Sequence, residues 1–186
     1  MEKLTNIEFL AKGKRSLVFT AKYKKRLVAI KVKKKSSKAI NRLENEAKFL
    51  KILNKHNIGP KLIKQGKDYI IYEFVKGKPI LKYKKNIKKV ILNVLDQCYI
   101  LDQLKINKLE MHHPVKHIII DKSPVMIDFE RCYYTKHPKN ITQFCQFLMN
   151  TNKTLNKKLL INALKIYKSK QNKNNFNQIK KILNSS

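Results

Sequence analysis

Residues 28–32 read Val28-Ala29-Ile30-Lys31-Val32, a β-prone run in a chain otherwise crowded with lysine. In an extended chain the period of two sends Val28, Ile30 and Val32 to one face, and Ala29 and Lys31 to the other. A lysine fixed on a rigid strand beside a small alanine can reach phosphates while a flat base packs on the alanine. The competing reading is an ordinary lysine on a half-exposed strand. Upstream, Leu17-Val18-Phe19 is a second β-prone run, and Tyr23-Lys24-Lys25-Arg26 reads as the hairpin turn between the two. Downstream, Ser36 and Ser37 suit a helix N-cap, and Ile40, Leu43, Ala47 and Leu50 form one apolar stripe at spacings of three and four. Glu46 borders that stripe. A carboxylate beside buried surface needs a partner, which Lys31 can supply; a solvated Glu in Glu44-Asn45-Glu46 is the alternative. Asn57-Ile58-Gly59-Pro60 ends the helix.

Further out, Lys61-Leu62-Ile63 and Tyr69-Ile70-Ile71-Tyr72-Glu73-Phe74 read as strands, and Gly77 and Pro79 as a linker. Beyond it the pattern becomes helical. Asn86 to Leu104 carries Val90, Ile91, Val94 and Leu95 on its apolar face, and helices resume near Asn140. Between them, His117-Ile118-Ile119-Ile120 and Val125-Met126-Ile127 flank Asp121-Lys122-Ser123-Pro124 as a hairpin. The second arm ends in Asp128-Phe129, an acid and an aromatic at a strand end, and a hard carboxylate there suits magnesium. Lys165–Ser186 is Lys/Asn-rich and reads as a solvated last helix that frays at its end. The fold class is therefore α+β: a strand-rich part with one helix over 1–75, then a mostly helical part with one hairpin over 76–186.

The chain has 186 residues and a formal charge of +31, from 43 Lys and Arg against 12 Asp and Glu. A surface this basic attracts polyanions, of which RNA is the commonest in a cytosol. Only four of the basic residues are arginine, Arg15, Arg26, Arg42 and Arg131, so contact with RNA or a ribosome would be weakly sequence-specific. The abundance of Lys, Asn and Ile also fits an AT-rich coding genome, although such bias leaves the shortage of acids unexplained. Hydrophobic residues make up 42% of the chain, enough for a core. No apolar run is long enough for a membrane span, and Met1-Glu2-Lys3 leads into no signal-peptide pattern. Cys98, Cys132 and Cys145 lack Cys-x-x-Cys spacing, which argues against a disulfide framework or zinc site and for a cytoplasmic protein without membrane association.

Taken in order, these segments resemble the protein-kinase-like superfamily from Phe9 to Arg131. Ile58-Gly59-Pro60-Lys61 resembles the small RIO-type and KEOPS-type kinases. Glu110-Met111-His112-His113-Pro114-Val115-Lys116-His117 is similar to the catalytic region of short archaeal predicted serine/threonine kinases. The resemblance implies a bilobal fold with an N-lobe over 1–75 and a truncated helical C-lobe over 76–186. It implies ATP and magnesium as cofactors, and transfer of the γ-phosphate to a Ser or Thr hydroxyl on a protein, this chain included. Lys31 would orient the α- and β-phosphates, Glu46 would hold Lys31, and Asp128 would bind magnesium as in the kinase Asp-Phe-Gly motif. Tyr72-Glu73-Phe74-Val75-Lys76-Gly77 looks like the hinge, placing adenine against Ala29 near Glu73 and Val75. The phosphate loop maps to Ala11, Gly13, Ser16 and Val18, with Lys14 and Arg15 available to phosphates.

Three departures stand out. One glycine of the loop remains, Gly13; Glu130 stands where the motif has glycine; and His117 takes the second metal-ligand position, which puts His112, or else Glu110, at the base. A non-catalytic ATP-binding relative acting as an RNA- or ribosome-associated module is the alternative reading, and a small-molecule kinase a third. No long activation segment follows Glu130.

Overall fold

A computed structural model describes residues 3–36 and 41–185. The protein is α+β. Its chain divides into two compact units, one running to Gly77 and including Val125–Arg131, the other comprising Lys78–Pro124 and the chain from Cys132 onward. The expected boundary at 75/76 lies two residues from the observed one. Residues 125–131, expected with the C-terminal part, belong to the first unit.

The first unit begins with β1 (Thr5–Lys12), β2 (Ser16–Tyr23) and β3 (Arg26–Lys33), followed by α1 (Arg42–Leu53), β4 (Leu62–Gln65) and β5 (Tyr69–Glu73). The strands form one antiparallel sheet in the order β1-β2-β3-β5-β4. As expected, Tyr23 pairs with Arg26 to close a two-residue turn. Lys24 and Lys25 both have positive φ, 49° and 62°, the backbone that matches the twist of a hairpin. Beta3 is central in the sheet, and both of its faces are covered as well. Val28 and Ile30 join Ala21 and Ile71 in one apolar cluster. Lys31 pairs with Ile70, and Ile70 packs on the other face with Leu43 and Ala47 of α1. The face carrying Ala29 and Lys31 is therefore buried, not half-exposed.

Asn41, with φ 55°, precedes α1 and makes no side-chain cap. Ser36 lies in an exposed turn before it; Ser37 and Ile40, also assigned to this helix start, lie outside the described residues. After α1, Asn54 ties the chain down: its Nδ2 donates to the carbonyls of Ile58 and Pro60, both at 3.1 Å, and its Oδ1 accepts from Leu62 N at 2.8 Å. Gly59 has φ +78°, and a Cβ there would lie 2.8 Å from the Phe129 ring and 2.9 Å from Leu50. Only glycine meets both demands.

The second unit starts with β6 (Lys78–Pro79), α2 (Ile87–Gln103), β7 (Ile106–Asn107) and β8 (Ile118–Ile120). Beta6 pairs with β8, and the chain then turns at Asp121–Ser123 into β9 (Pro124–Met126). Beyond Arg131 come β10 (Tyr133–Tyr134), paired with β7, and three helices: α3 (Asn140–Thr151), α4 (Lys157–Ser169) and α5 (Lys173–Ser185).

Asp102 on α2 organises the polar interior. It accepts from Asn140 N at 3.1 Å, Asn140 Nδ2 at 2.7 Å and Tyr167 Oη at 3.0 Å, placing a carboxylate on the free N–H groups that start α3. Burial raises its pKa against these hydrogen bonds. It also raises the thiol pKa values of Cys98 and Cys145, which makes both poor nucleophiles.

The expected last helix is present, but it is docked and not solvated. Alpha5 buries Phe176, Ile179 and Leu183, Phe176 stacks on Tyr99 with centroids 4.3 Å apart, and Lys180 pairs with Asp96 at 2.8 Å. Among the described residues, no helix is long and apolar enough to cross a membrane.

Candidate active site

The first unit gathers its charged residues around Lys31. Central strand β3 fixes the lysine backbone, and α1, packed on the same face, brings Glu46 over it. Lys31 Nζ lies 2.7 Å from Glu46 Oε2, 3.1 Å from Asp128 Oδ1 and 3.2 Å from Glu130 Oε2. The lysine and Glu46 side chains are 8% and 2% exposed, Glu130 12% and Asp128 37%. The cluster is thus a buried ion pair with one carboxylate facing solvent.

Two features fix the segment carrying the acids. Phe129, fully buried, abuts the cleared position at Gly59, and its N–H donates to Glu46 Oε1 at 3.4 Å. Glu46 therefore binds both Lys31 and the backbone between Asp128 and Glu130. The Glu130 carbonyl accepts from Asn45 Nδ2 at 3.0 Å and Arg42 Nη1 at 3.4 Å, anchoring it to the first turn of α1. Asp128 has φ +64°, a conformation that Asp tolerates better than most residues.

The electrostatics follow from crowding. Burial alone would lower the Lys31 pKa, but Glu46, Asp128 and Glu130 together hold it above the ordinary lysine value. The Glu46 carboxyl is raised, first by burial and then by the neighbouring carboxylates, with Lys31 opposing. Tyr72 is raised by burial and by Glu46. Lys31 faces all three carboxylates, Arg15 lies 3.4 Å from Glu130 Oε1, and Arg42 lies 3.4 Å from the Glu130 carbonyl. Ligand oxygens of Glu46, Asp128 and Glu130 lie within 4.8 Å of one another, an all-carboxylate donor set of the kind a hard divalent cation takes. Asp128, the most exposed of the three, is the one such an ion reaches first.

The remaining expected site residues lie as follows. Val18 pairs with Lys31 and with Ala11 across the sheet. Gly13 N donates to Ser16 O at 2.9 Å, closing the β1–β2 turn. A Cβ on Gly13 would meet nothing nearer than 3.4 Å, so the turn does not itself demand glycine. Ser16, expected beside phosphates, is buried. Ala29 is buried and pairs with Tyr72. Glu73 ends β5, with its carboxylate 3.4 Å from Arg26, and Val75 follows, half-buried. Glu110, His112 and His117 belong to the second unit. There Glu110 has φ +74°, His117 Nδ1 lies 3.4 Å from Glu110 Oε2, and His112 is exposed.

The sequence marks Glu130 only as a replaced glycine and assigns Arg42 and Asn45 no role. A signal for Glu130 did exist: in a chain with 12 acids against 43 basic residues, an acid two positions after Asp128 is conspicuous. No family model matches the chain, and no curated protein matches it.

Proposed function

We propose that this chain is an atypical ATP-dependent phosphotransferase with a bilobal protein-kinase-like fold and a truncated helical C-lobe, acting on Ser or Thr hydroxyls of a protein, itself among the candidate acceptors. The observation that carries this reading is the Lys31–Glu46 pair at 2.7 Å with Asp128 at 3.1 Å on the same ammonium. A strand lysine held by a helix glutamate, beside a carboxylate able to take a metal, is the set that positions nucleotide phosphates in kinases.

In this reading Lys31 contacts the α- and β-phosphates and Glu46 keeps its ammonium in place. Asp128 would hold magnesium, which neutralises charge on the phosphates when bound. Ala29, Glu73 and Val75 are the residues that would hold adenine. The acceptor oxygen bonds to the γ-phosphorus as the bond to the β,γ-bridging oxygen breaks. ADP leaves with that electron pair, and His112 or Glu110 takes the hydroxyl proton. Phosphoryl transfer depends more on positioning and charge than on a strong base, so the altered loop is compatible with slow transfer.

The non-catalytic reading draws on one observation: His117, at the second metal-ligand position, has Glu110 3.4 Å from its Nδ1, and imidazole is a poor magnesium ligand. Incubation with labelled ATP and magnesium, alone and with cell extract, separates the two. Label transfer by the wild type but not by Asp128→Ala supports the enzyme. Tight magnesium-ATP binding with no transfer to any acceptor supports the module.

A further inference from the structure

We propose that Glu130 is a built-in competitor for phosphate: its carboxylate occupies the anion seat formed by Lys31 and Arg15, and a polyphosphate ligand binds by expelling it. The nucleotide identity of that ligand rests on the phosphotransferase reading; the seat itself does not.

An ammonium group has three N–H donors. Around Lys31 Nζ stand three carboxylates, at 2.7, 3.1 and 3.2 Å, so a phosphate oxygen can reach Lys31 only by replacing one of them. Glu46 is the worst candidate to leave. It is 2% exposed, makes the shortest contact, and accepts from the Phe129 N–H as well. Asp128 is solvent-facing and is the carboxylate an incoming cation would use. Glu130 makes the longest contact with Lys31, and its second oxygen lies 3.4 Å from the Arg15 guanidinium. A carboxylate bridging two cations in this way stands in for a phosphate bridging the same two. Because Asn45 and Arg42 hold the Glu130 carbonyl, its side chain can swing out by rotation while the backbone next to Asp128 stays anchored.

Binding is then taxed by the fraction of molecules whose seat is open. If about one molecule in ten has Glu130 out, removing its charge tightens polyphosphate binding about tenfold. The test is calorimetric titration of the full chain with inorganic tripolyphosphate, ATP and adenosine, using wild type, Glu130→Gln, Glu130→Ala and Lys31→Met. Tighter tripolyphosphate binding in both Glu130 variants, lost in Lys31→Met and without change for adenosine, is the expected result. Equal or weaker binding in both folded variants overturns the proposal, as does tripolyphosphate affinity that is unmeasurable in the wild type and in both Glu130 variants.

A crystal of the wild type with tripolyphosphate gives an answer that no variant can confound. A phosphate oxygen on Lys31 with Glu130 turned away supports the exchange, and three carboxylates still on Lys31 beside bound ligand refutes it. Tripolyphosphate binding that tightens, with no adenosine binding and no gain for ATP over tripolyphosphate, retains the seat and removes the nucleotide reading. Phosphate transfer from ATP with no tightening does the reverse.

Discussion

At the scale of single residues, the site turns on how one lysine is shared. Glu46 was legible because a stripe at spacings of three and four has a border, and a carboxylate on that border requires a cation. Asp128 was legible because it follows an apolar, strand-like run. Arg42 and Asn45 were not, because they act on the Glu130 carbonyl, and backbone acceptors leave no mark in a sequence. Two predictions belong here. Asp128→Asn keeps the shape and removes one charge, so it should weaken magnesium-ATP far more than adenosine, measured by calorimetry. Equal losses for both ligands would remove Asp128 from the metal role. The second concerns alkali. Lys31 has a folded pKa above its unfolded value, so its contribution is present below about 10.4, the ordinary lysine value, and is lost as pH rises through the folded pKa. Tyr72 is also raised; the unfolded phenol ionises near 10 while the native one stays protonated, so its effect has the same sign. Stability in urea should fall from about pH 10 upward, by at most about 1.4 kcal/mol per pH unit for each group. Tyr72→Phe and Lys31→Met should each flatten that slope, and a flat wild-type profile would contradict both assignments.

At the scale of elements, alternation placed β3 and turn chemistry placed the β2–β3 hairpin, but neither could show that both faces of β3 are covered. That depends on α1, further along the chain, packing Leu43 and Ala47 with Ile70 over the Lys31 face, a long-range event. Gly59 links an element end to the site. Its φ of +78° and the 2.8 Å approach to Phe129 mean that Gly59→Ala must strain the backbone and push the ring preceding Glu130. A loss of roughly 1–3 kcal/mol in denaturant unfolding is expected, the range for overpacking. A neutral result would show that the turn relaxes freely. Alpha5 is the element most misread from sequence. Phe176, Ile179 and Leu183 carry helical spacing, but the surrounding Lys and Asn concealed that the expected helix packs on a narrow stripe instead of lying in solvent. Phe176→Ala should cost about 3–5 kcal/mol and abolish the cooperative unfolding of a helix docked on Tyr99. A change near zero would return α5 to the solvated helix first expected.

At the scale of the whole molecule, the sum of charge was fully legible and its distribution was not. Three of the 12 acids converge on Lys31, which leaves the rest of the surface poorer still in negative charge than composition suggests. One place where this shows is a groove of the first unit lined by Lys51, Asn54, Lys61, Lys64, Gln65 and Lys67, with no acid among its lining residues. Lysines spread along a groove supply charge without forked geometry, so their expected ligand is a polyanion read by its backbone. Single-stranded RNA should therefore bind with little sequence preference and lose affinity steeply between about 50 and 200 mM salt as released counterions cease to favour association. Replacing Lys61, Lys64 and Lys67 with glutamate should weaken binding for every RNA sequence alike and reduce the magnitude of the salt slope by up to about three units, close to one per lost phosphate contact. A slope unchanged by the triple variant would move the contact elsewhere on the surface. RNA binding undetectable at low salt would remove RNA as the partner suggested by the +31 charge.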